Sequence, residues 1–425
     1  MSKKIFSNSL WMMSEKILSI FGLIFVTSFV ARYIGPENFG KLTFATSVFA
    51  IVQTLAMFGS ENIIFQKSSQ NRATGERIIL ATRLIRNVLY MIFAGLVLAY
   101  LYWTVDKLTL IFSVASSIAI YFALHDVYTL YFNATLQSYI NTLCNVTALI
   151  ICLILRYCIA AFELPIVYLS LPIVLISLIP FVLRRYIFSR KKVLTTTGTT
   201  FQLNRYRRHM LAIGRKLVLY SLSVAIFTKA SQLFLGMKSQ HDLGIYTVAM
   251  TLGSSFYFVL NALISSFLTQ IYAEKSHEKS QIMVARLNVM VVVIALSAAL
   301  FFALFGHWII AWLYGAQYQQ VNDILVIAVL VTLFSGMSTV AEKYLMKFNA
   351  YDYLHRKTLI LVAFNLVLTS LAVHYFSLYG AIFAILITEF ISLTLLNYFY
   401  RSGLIFDTHR RMLQVSTYLN PRPKP

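Results

Sequence analysis

Positive charge in this chain falls almost entirely on one side of a series of long apolar segments. Twelve segments can be drawn, at about 11–34, 41–60, 84–103, 108–132, 142–162, 165–183, 217–236, 244–268, 287–310, 321–341, 358–377 and 380–400. Each approaches the ~20 apolar residues that cross a bilayer as a helix. Connections on one proposed face carry 28 Lys/Arg, those on the other carry 2, and six more lie inside segments. Such a bias orients a multi-pass protein with its basic face in the cytoplasm. An even number of segments then predicts both basic termini on that face. The net charge of +21 thus reads as an orientation signal and argues against a nucleic-acid partner.

With 59% hydrophobic and only 12% charged residues, the chain leaves no room for a soluble domain. The runs are long and continuous rather than alternating, which favours helices over a β-barrel. The expected fold is an all-α polytopic membrane protein, with 12 transmembrane helices as two pseudo-symmetric six-helix bundles around a central cavity. The expected division is an N-terminal half at 1–186, a basic cytoplasmic connector at 187–216, a C-terminal half at 217–400 and a basic tail at 401–425. Ten basic residues between Arg184 and Lys216 mark the connector, and the run at Thr195–Thr200 gives its middle a linker-like composition.

A short internal repeat supports two halves. Gly40-Lys41-Leu42-Thr43-Phe44-Ala45 and Gly244-Ile245-Tyr246-Thr247-Val248-Ala249 share a G-x-[LY]-T-x-A pattern. Each opens the second segment of its half. Both halves start from the same face, so the repeat is parallel and predicts a pseudo-two-fold axis along the membrane normal.

No nucleotide-binding glycine loop, zinc-protease motif or close carboxylate pair is present in the sequence. An enzyme is therefore not expected, nor any bound cofactor. Cys144, Cys152 and Cys158 share one segment and read as small apolar residues rather than a disulfide or metal set. His125-Asp126 reads as a hydrogen-bonded packing pair. Pro172 and Pro180 in the sixth segment predict a bend or a hinge. The many Tyr and Phe near segment ends read as interfacial anchors.

Charges at membrane depth carry the functional expectation, because a charge facing hydrocarbon costs several kcal/mol. Lys229 either snorkels or lines a cavity. Arg156 and Arg32 lie near the outer ends of their segments, with the same two readings. Glu15 and Lys16 open the first segment, as an interfacial pair or a polar cavity mouth. Glu389, near the middle of the last segment, is a packing carboxyl or an ion-coupling group. Asp126 and Glu342 could serve as coupling groups as well.

Several segments resemble a known family. Asn8-Ser9-Leu10-Trp11 with Ser14-Glu15-Lys16, the junction Ala31-Arg32-Tyr33-Ile34-Gly35-Pro36-Glu37-Asn38-Phe39-Gly40, and Leu313-Tyr314-Gly315-Ala316-Gln317-Tyr318 are similar to the O-antigen, Wzx-type polysaccharide flippases of the multidrug/oligosaccharidyl-lipid/polysaccharide (MOP) superfamily. Twelve segments would set the chain apart from the fourteen-helix lipid II flippases. The resemblance implies a substrate, an oligosaccharide on undecaprenyl pyrophosphate, and alternating access in the bacterial inner membrane. It further implies membrane lipid, a polysaccharide polymerase and a chain-length regulator as partners. Coupling to a H⁺ or Na⁺ gradient, or to the membrane potential, would drive transport. An ion-coupled small-molecule exporter of the same superfamily is the alternative, followed by a membrane polymerase or acyltransferase.

Overall fold

Residues 3–192 and 200–414 are described by a computed structural model, without most side chains up to residue 23 and part of those at 200–220. The described residues are helical, in the order α1 (Lys3–Met57), α2 (Ser60–Gln70), α3 (Arg72–Thr104), α4 (Lys107–His125), α5 (Tyr128–Ala134), α6 (Ser138–Ala161), α7 (Ser170–Lys191), α8 (Thr200–Lys238), α9 (Gln240–Gly253), α10 (Tyr257–Ala273), α11 (His277–Leu313), α12 (Val321–Met346), α13 (Tyr351–Leu393), α14 (Leu395–Tyr398) and α15 (Leu404–Met412). Each predicted segment is mostly helical, but those at 41–60, 108–132 and 244–268 each cross a break between two helices. By length and apolarity, eight helices can cross a membrane, or nine when the pair α9–α10, bent by 41°, counts as one.

Two of these helices each hold two predicted segments. Inside α1 the backbone breaks at Gly35 (φ 77°, ψ 167°), followed at once by Pro36. That conformation is open essentially to glycine alone, and proline cannot donate the next helical hydrogen bond. The predicted turn at Gly35-Pro36 is therefore a sharp break. A second break lies in α13 at Ser377 (φ 48°). There Lys238 donates from Nζ to the Val373 carbonyl at 2.8 Å and to that of His374, satisfying helix-end acceptors. A Cβ on Gly380 would sit 1.9 Å from the Ala372 carbonyl oxygen, so only glycine admits this close return of the chain.

The chain forms two compact units, Met1–Lys229 and Ala230–Pro425. The division falls inside α8, beyond the 216/217 boundary expected from sequence. Much of the expected connector is helix, since α7 continues to Lys191 and α8 starts at Thr200. The linker-like run at 195–199 lies outside the described residues. In the first unit α1 packs on α4 and α6, and α7 lies against both. In the second, α12 is the central helix, packed by α9, α11 and α13. Its core joins Leu260, Val291, Val340 and Tyr344, all nearly inaccessible.

The resembling motifs have structural roles here. In the first junction Lys41 bridges Glu37 (3.1 Å) and Asp106 (3.3 Å), tying α1 to the N-cap of α4. Tyr314 and Tyr318 are buried with ring centroids 5.5 Å apart, around Gly315 at φ 85°. The three cysteines lie on α6 as free thiols. Pro172 falls in the first turn of α7, where proline is tolerated; only Pro180 is interior.

Candidate functional site

The first unit holds a half-open polar cavity where α1, α4, α6 and α7 converge. Its volume is about 290 Å³. Gln53 and Met57 come from the end of α1, Glu61 from α2, Asp126 from the C-cap of α4, Asn145 from α6 and Arg184 from α7. A second chamber of about 390 Å³ shares Gln53, Met57 and Glu61 and continues to Ser221 and Val224 of α8.

One charge pair dominates the wall. Arg184 donates from Nε to the Asp126 Oδ1 and Oδ2 at 3.0 and 2.9 Å, and its Nη2 lies 2.6 Å from Oδ2. Its Nη1 donates to Asn145 Oδ1 at 2.8 Å. The two charged side chains are only 5% and 8% exposed. A two-pronged guanidinium–carboxylate contact is the geometry that best compensates desolvation of both ions. His125 is not the partner of Asp126; its Nδ1 faces the Tyr121 carbonyl at 2.8 Å. The expected His125–Asp126 pair is thus replaced by Asp126–Arg184.

Glu61 differs. It stands in the first turn of α2, where the helix dipole favours a carboxylate. Burial pushes its carboxyl above the ordinary range. Among the described residues it has neither ion pair nor hydrogen bond.

The second unit carries a related cluster. Lys357 on α13 donates to Glu342 Oε1 at 2.9 Å and to Asn397 Oδ1 at 3.0 Å, with its side chain 2% exposed. Glu389 accepts from the Ser335 hydroxyl and lies within electrostatic reach of both Glu342 and Lys357. Each unit therefore holds a carboxylate, a buried cation and an amide on, or one residue outside, its last three predicted segments. Between units the cation and the amide exchange helices. In the first unit the fifth segment gives Asn145 and the sixth gives Arg184; in the second the eleventh region gives Lys357 and the twelfth gives Asn397.

The other predicted residues are scattered. Lys229 is half-buried on α8, Arg156 half-buried on α6, and Arg32 exposed on α1. Glu15 and Lys16 lie in α1, but their side chains are outside the described residues. Of the predicted set, Glu389 and Glu342 come together. Arg184, Lys357 and Glu61 were not anticipated. Arg184 was hidden by its neighbour Arg185 at the head of the basic connector, and Lys357 falls one residue before the predicted eleventh segment. No group of three or more metal-ligating side chains occurs among the described residues.

Residues 29–323 match the family described as "Polysaccharide biosynthesis protein". The chain belongs to that family. No curated protein matches it in sequence. Among solved structures it resembles the lipid II flippase MurJ in an inward closed conformation, at TM-score 0.73 and 13% identity over 99% of this chain and 94% of that one. It also resembles an inward-facing MATE-family multidrug resistance transporter of the MOP superfamily (TM-score 0.63, 15% identity, 91% and 93% covered). A MOP superfamily transporter from Pyrococcus furiosus Vc1 (DSM3638) is similar at TM-score 0.55 and 14% identity, with 96% and 95% covered. The family member has the fold of these transporters, and the overlay reaches a lipid II flippase despite the segment count expected to separate them.

Proposed function

We propose that this protein moves a lipid-linked oligosaccharide from one leaflet of a membrane to the other, without changing its covalent structure. The observation that carries this reading is the polar cavity of the first unit, embedded in a bundle of membrane-length helices. A hydrated headgroup cannot enter hydrocarbon unaided, because each unmatched polar group costs several kcal/mol there. A walled polar space supplies substitute partners while the lipid tail stays in the bilayer. Membership of a polysaccharide biosynthesis family supports a saccharide cargo. Likeness to a lipid II flippase supports a lipid-linked one.

The finer reading is an undecaprenyl-pyrophosphate-linked O-antigen repeat unit, carried from the cytoplasmic to the periplasmic leaflet of a bacterial inner membrane. Both termini would then be cytoplasmic, and a polymerase and chain-length regulator would receive the product. Lys229, Arg32, Arg156 and Lys16, with Glu15, are the proposed path for the diphosphate-bearing headgroup. Glu389, Glu342 and Asp126 are the proposed coupling carboxylates for a H⁺ or Na⁺ gradient; membrane potential or removal of product would serve otherwise.

Cells lacking this chain should accumulate the carrier-linked oligosaccharide in the leaflet where it is made, and a plasmid copy should clear it. Normal export of surface polysaccharide in its absence, with loss of drug efflux instead, would contradict the reading in favour of a small-molecule exporter.

A further inference from the structure

The charges of the first unit's cavity do not suit a diphosphate. Among the described residues, Arg184 is the only basic side chain on the wall of either chamber. Its Nε and Nη2 are committed to Asp126 and its Nη1 to Asn145. Being buried, that pair presents a neutral, fixed surface rather than a positive one. The remaining charge is the Glu61 carboxylate, which both chambers share and which has no partner among the described residues. Among the described residues, an entering phosphate would meet an uncompensated negative charge and no available cation. Like charges brought together repel.

The same wall suits hydroxyl groups. A carboxylate accepts from two donors, and a primary amide both donates and accepts. Gln53 reaches both chambers and, like Glu61, makes no side-chain hydrogen bond among the described residues. Ser177 in one chamber and Ser221 in the other add hydroxyls that can turn either way. Met57, shared by both, and Pro180 offer apolar surface to the C–H faces of a sugar ring. Two joined spaces, of about 290 and 390 Å³, give room for more than one ring.

We infer that this two-chambered cavity is a saccharide subsite in which Glu61 and Gln53 bind sugar hydroxyls, and that the diphosphate of the cargo is held elsewhere. The inference rests on the lipid-linked oligosaccharide reading and adds which part of the cargo this site takes. Recognition is by neutral hydroxylated rings, so specificity for the repeat unit is set at the first unit's cavity.

The test titrates the full chain in nanodiscs with a panel of neutral di- and trisaccharides and, separately, with inorganic pyrophosphate. At least one saccharide should bind, and Glu61→Ala and Gln53→Ala should each weaken it at least tenfold while leaving pyrophosphate affinity within twofold. Should Glu61→Ala fail to fold, Glu61→Gln keeps the shape, removes the charge, and should still weaken the saccharide severalfold. Competition between saccharide and pyrophosphate for one site, unaltered saccharide binding in these variants, or no saccharide bound at all would overturn the inference. A parallel assay of lipid-linked oligosaccharide translocation separates the two claims. Translocation with saccharide binding insensitive to Glu61 removes the subsite alone, whereas saccharide binding that depends on Glu61 with no translocation removes the transport reading alone.

Discussion

Arg184 and Asp126, 58 residues apart in the chain, meet through Nε and Nη2 of the guanidinium and both oxygens of the carboxylate, at 2.6 to 3.0 Å. The contact joins the end of α4 to α7 at the wall of the cavity. Removing one member strands a buried charge, whereas removing both does not. Arg184→Met or Asp126→Leu alone should each cost roughly 3–5 kcal/mol. The double variant should recover most of that loss. Chemical unfolding of the four proteins in one detergent, arranged as a double-mutant cycle, measures the coupling; additive losses would show that the pair is not a unit.

The cluster of the second unit should respond asymmetrically. Lys357 is buried while Glu342 is 38% exposed. Glu342→Ala leaves the lysine hydrogen-bonded only to the Asn397 amide, with Glu389 in electrostatic reach, and should be the more damaging, by roughly 3 kcal/mol. Lys357→Met leaves a carboxylate that reaches solvent and should cost less. Comparison of thermal unfolding midpoints decides the order, and equal losses would speak against burial of the cation as the cause.

At the first junction Asp106 caps α4 and receives Lys41. Burial acts to raise its carboxyl, but the Thr109 hydroxyl and the Lys41 ammonium outweigh it, so the group sits below the ordinary carboxylate range. A depressed carboxyl stabilises the fold above the unfolded value, ~3.9, and that contribution disappears as pH falls through the folded value. Asp106→Asn should cost about 0.5–2 kcal/mol near neutral pH, the range for loss of a cap. The gap between variant and parent should close in strong acid. A gap that stays constant from pH 7 down into strong acid, about pH 1, would exclude the ionised form as the stabilising one.

Gly35 holds a backbone conformation that side chains avoid. Gly35→Ala should cost about 1–3 kcal/mol, and Gly380→Ala, facing the Ala372 carbonyl, should do at least as much harm. Expression and unfolding of both variants check this; Gly35→Ala with parental stability would mean that the break is not strained.

His409 on α15 meets the Tyr398 hydroxyl at 2.9 Å through Nδ1, while its Nε2 is buried without a partner. Burial pushes the imidazole down to about 4. Docking of α15 therefore requires neutral histidine. It should be strongest above the free value, ~6.5, and weaken steadily as pH falls from there toward 4. Hydrogen exchange across Leu404–Met412 should accelerate over that window in the parent and far less in His409→Gln.

Much of the fold was legible because hydrophobic length and charge asymmetry are additive properties of the sequence. The break at Gly35-Pro36 could be read from two residues whose backbone limits are intrinsic. The site was far less legible. Arg184 looks like one more basic residue of a connector until the fold brings it to Asp126. Lys357 sits beside Arg356 at a predicted helix start, where an interfacial charge is ordinary. Glu61 is exposed at the start of α2 and is marked only by the two chambers it lines. In each case the deciding fact is a partner, or its absence, across helices distant in sequence. Lys229 was singled out by depth alone, and depth says nothing about which way a side chain turns.

Translocation itself is the most direct measurement. The purified chain is reconstituted into liposomes carrying a fluorescent polyprenyl-diphosphate oligosaccharide, and a membrane-impermeant reagent reports how much of it reaches the outer leaflet. The account predicts protein-dependent exchange that is severalfold slower in Glu61→Ala than in the parent. Exchange no faster than in protein-free liposomes, under an imposed H⁺ or Na⁺ gradient and a membrane potential alike, would contradict it.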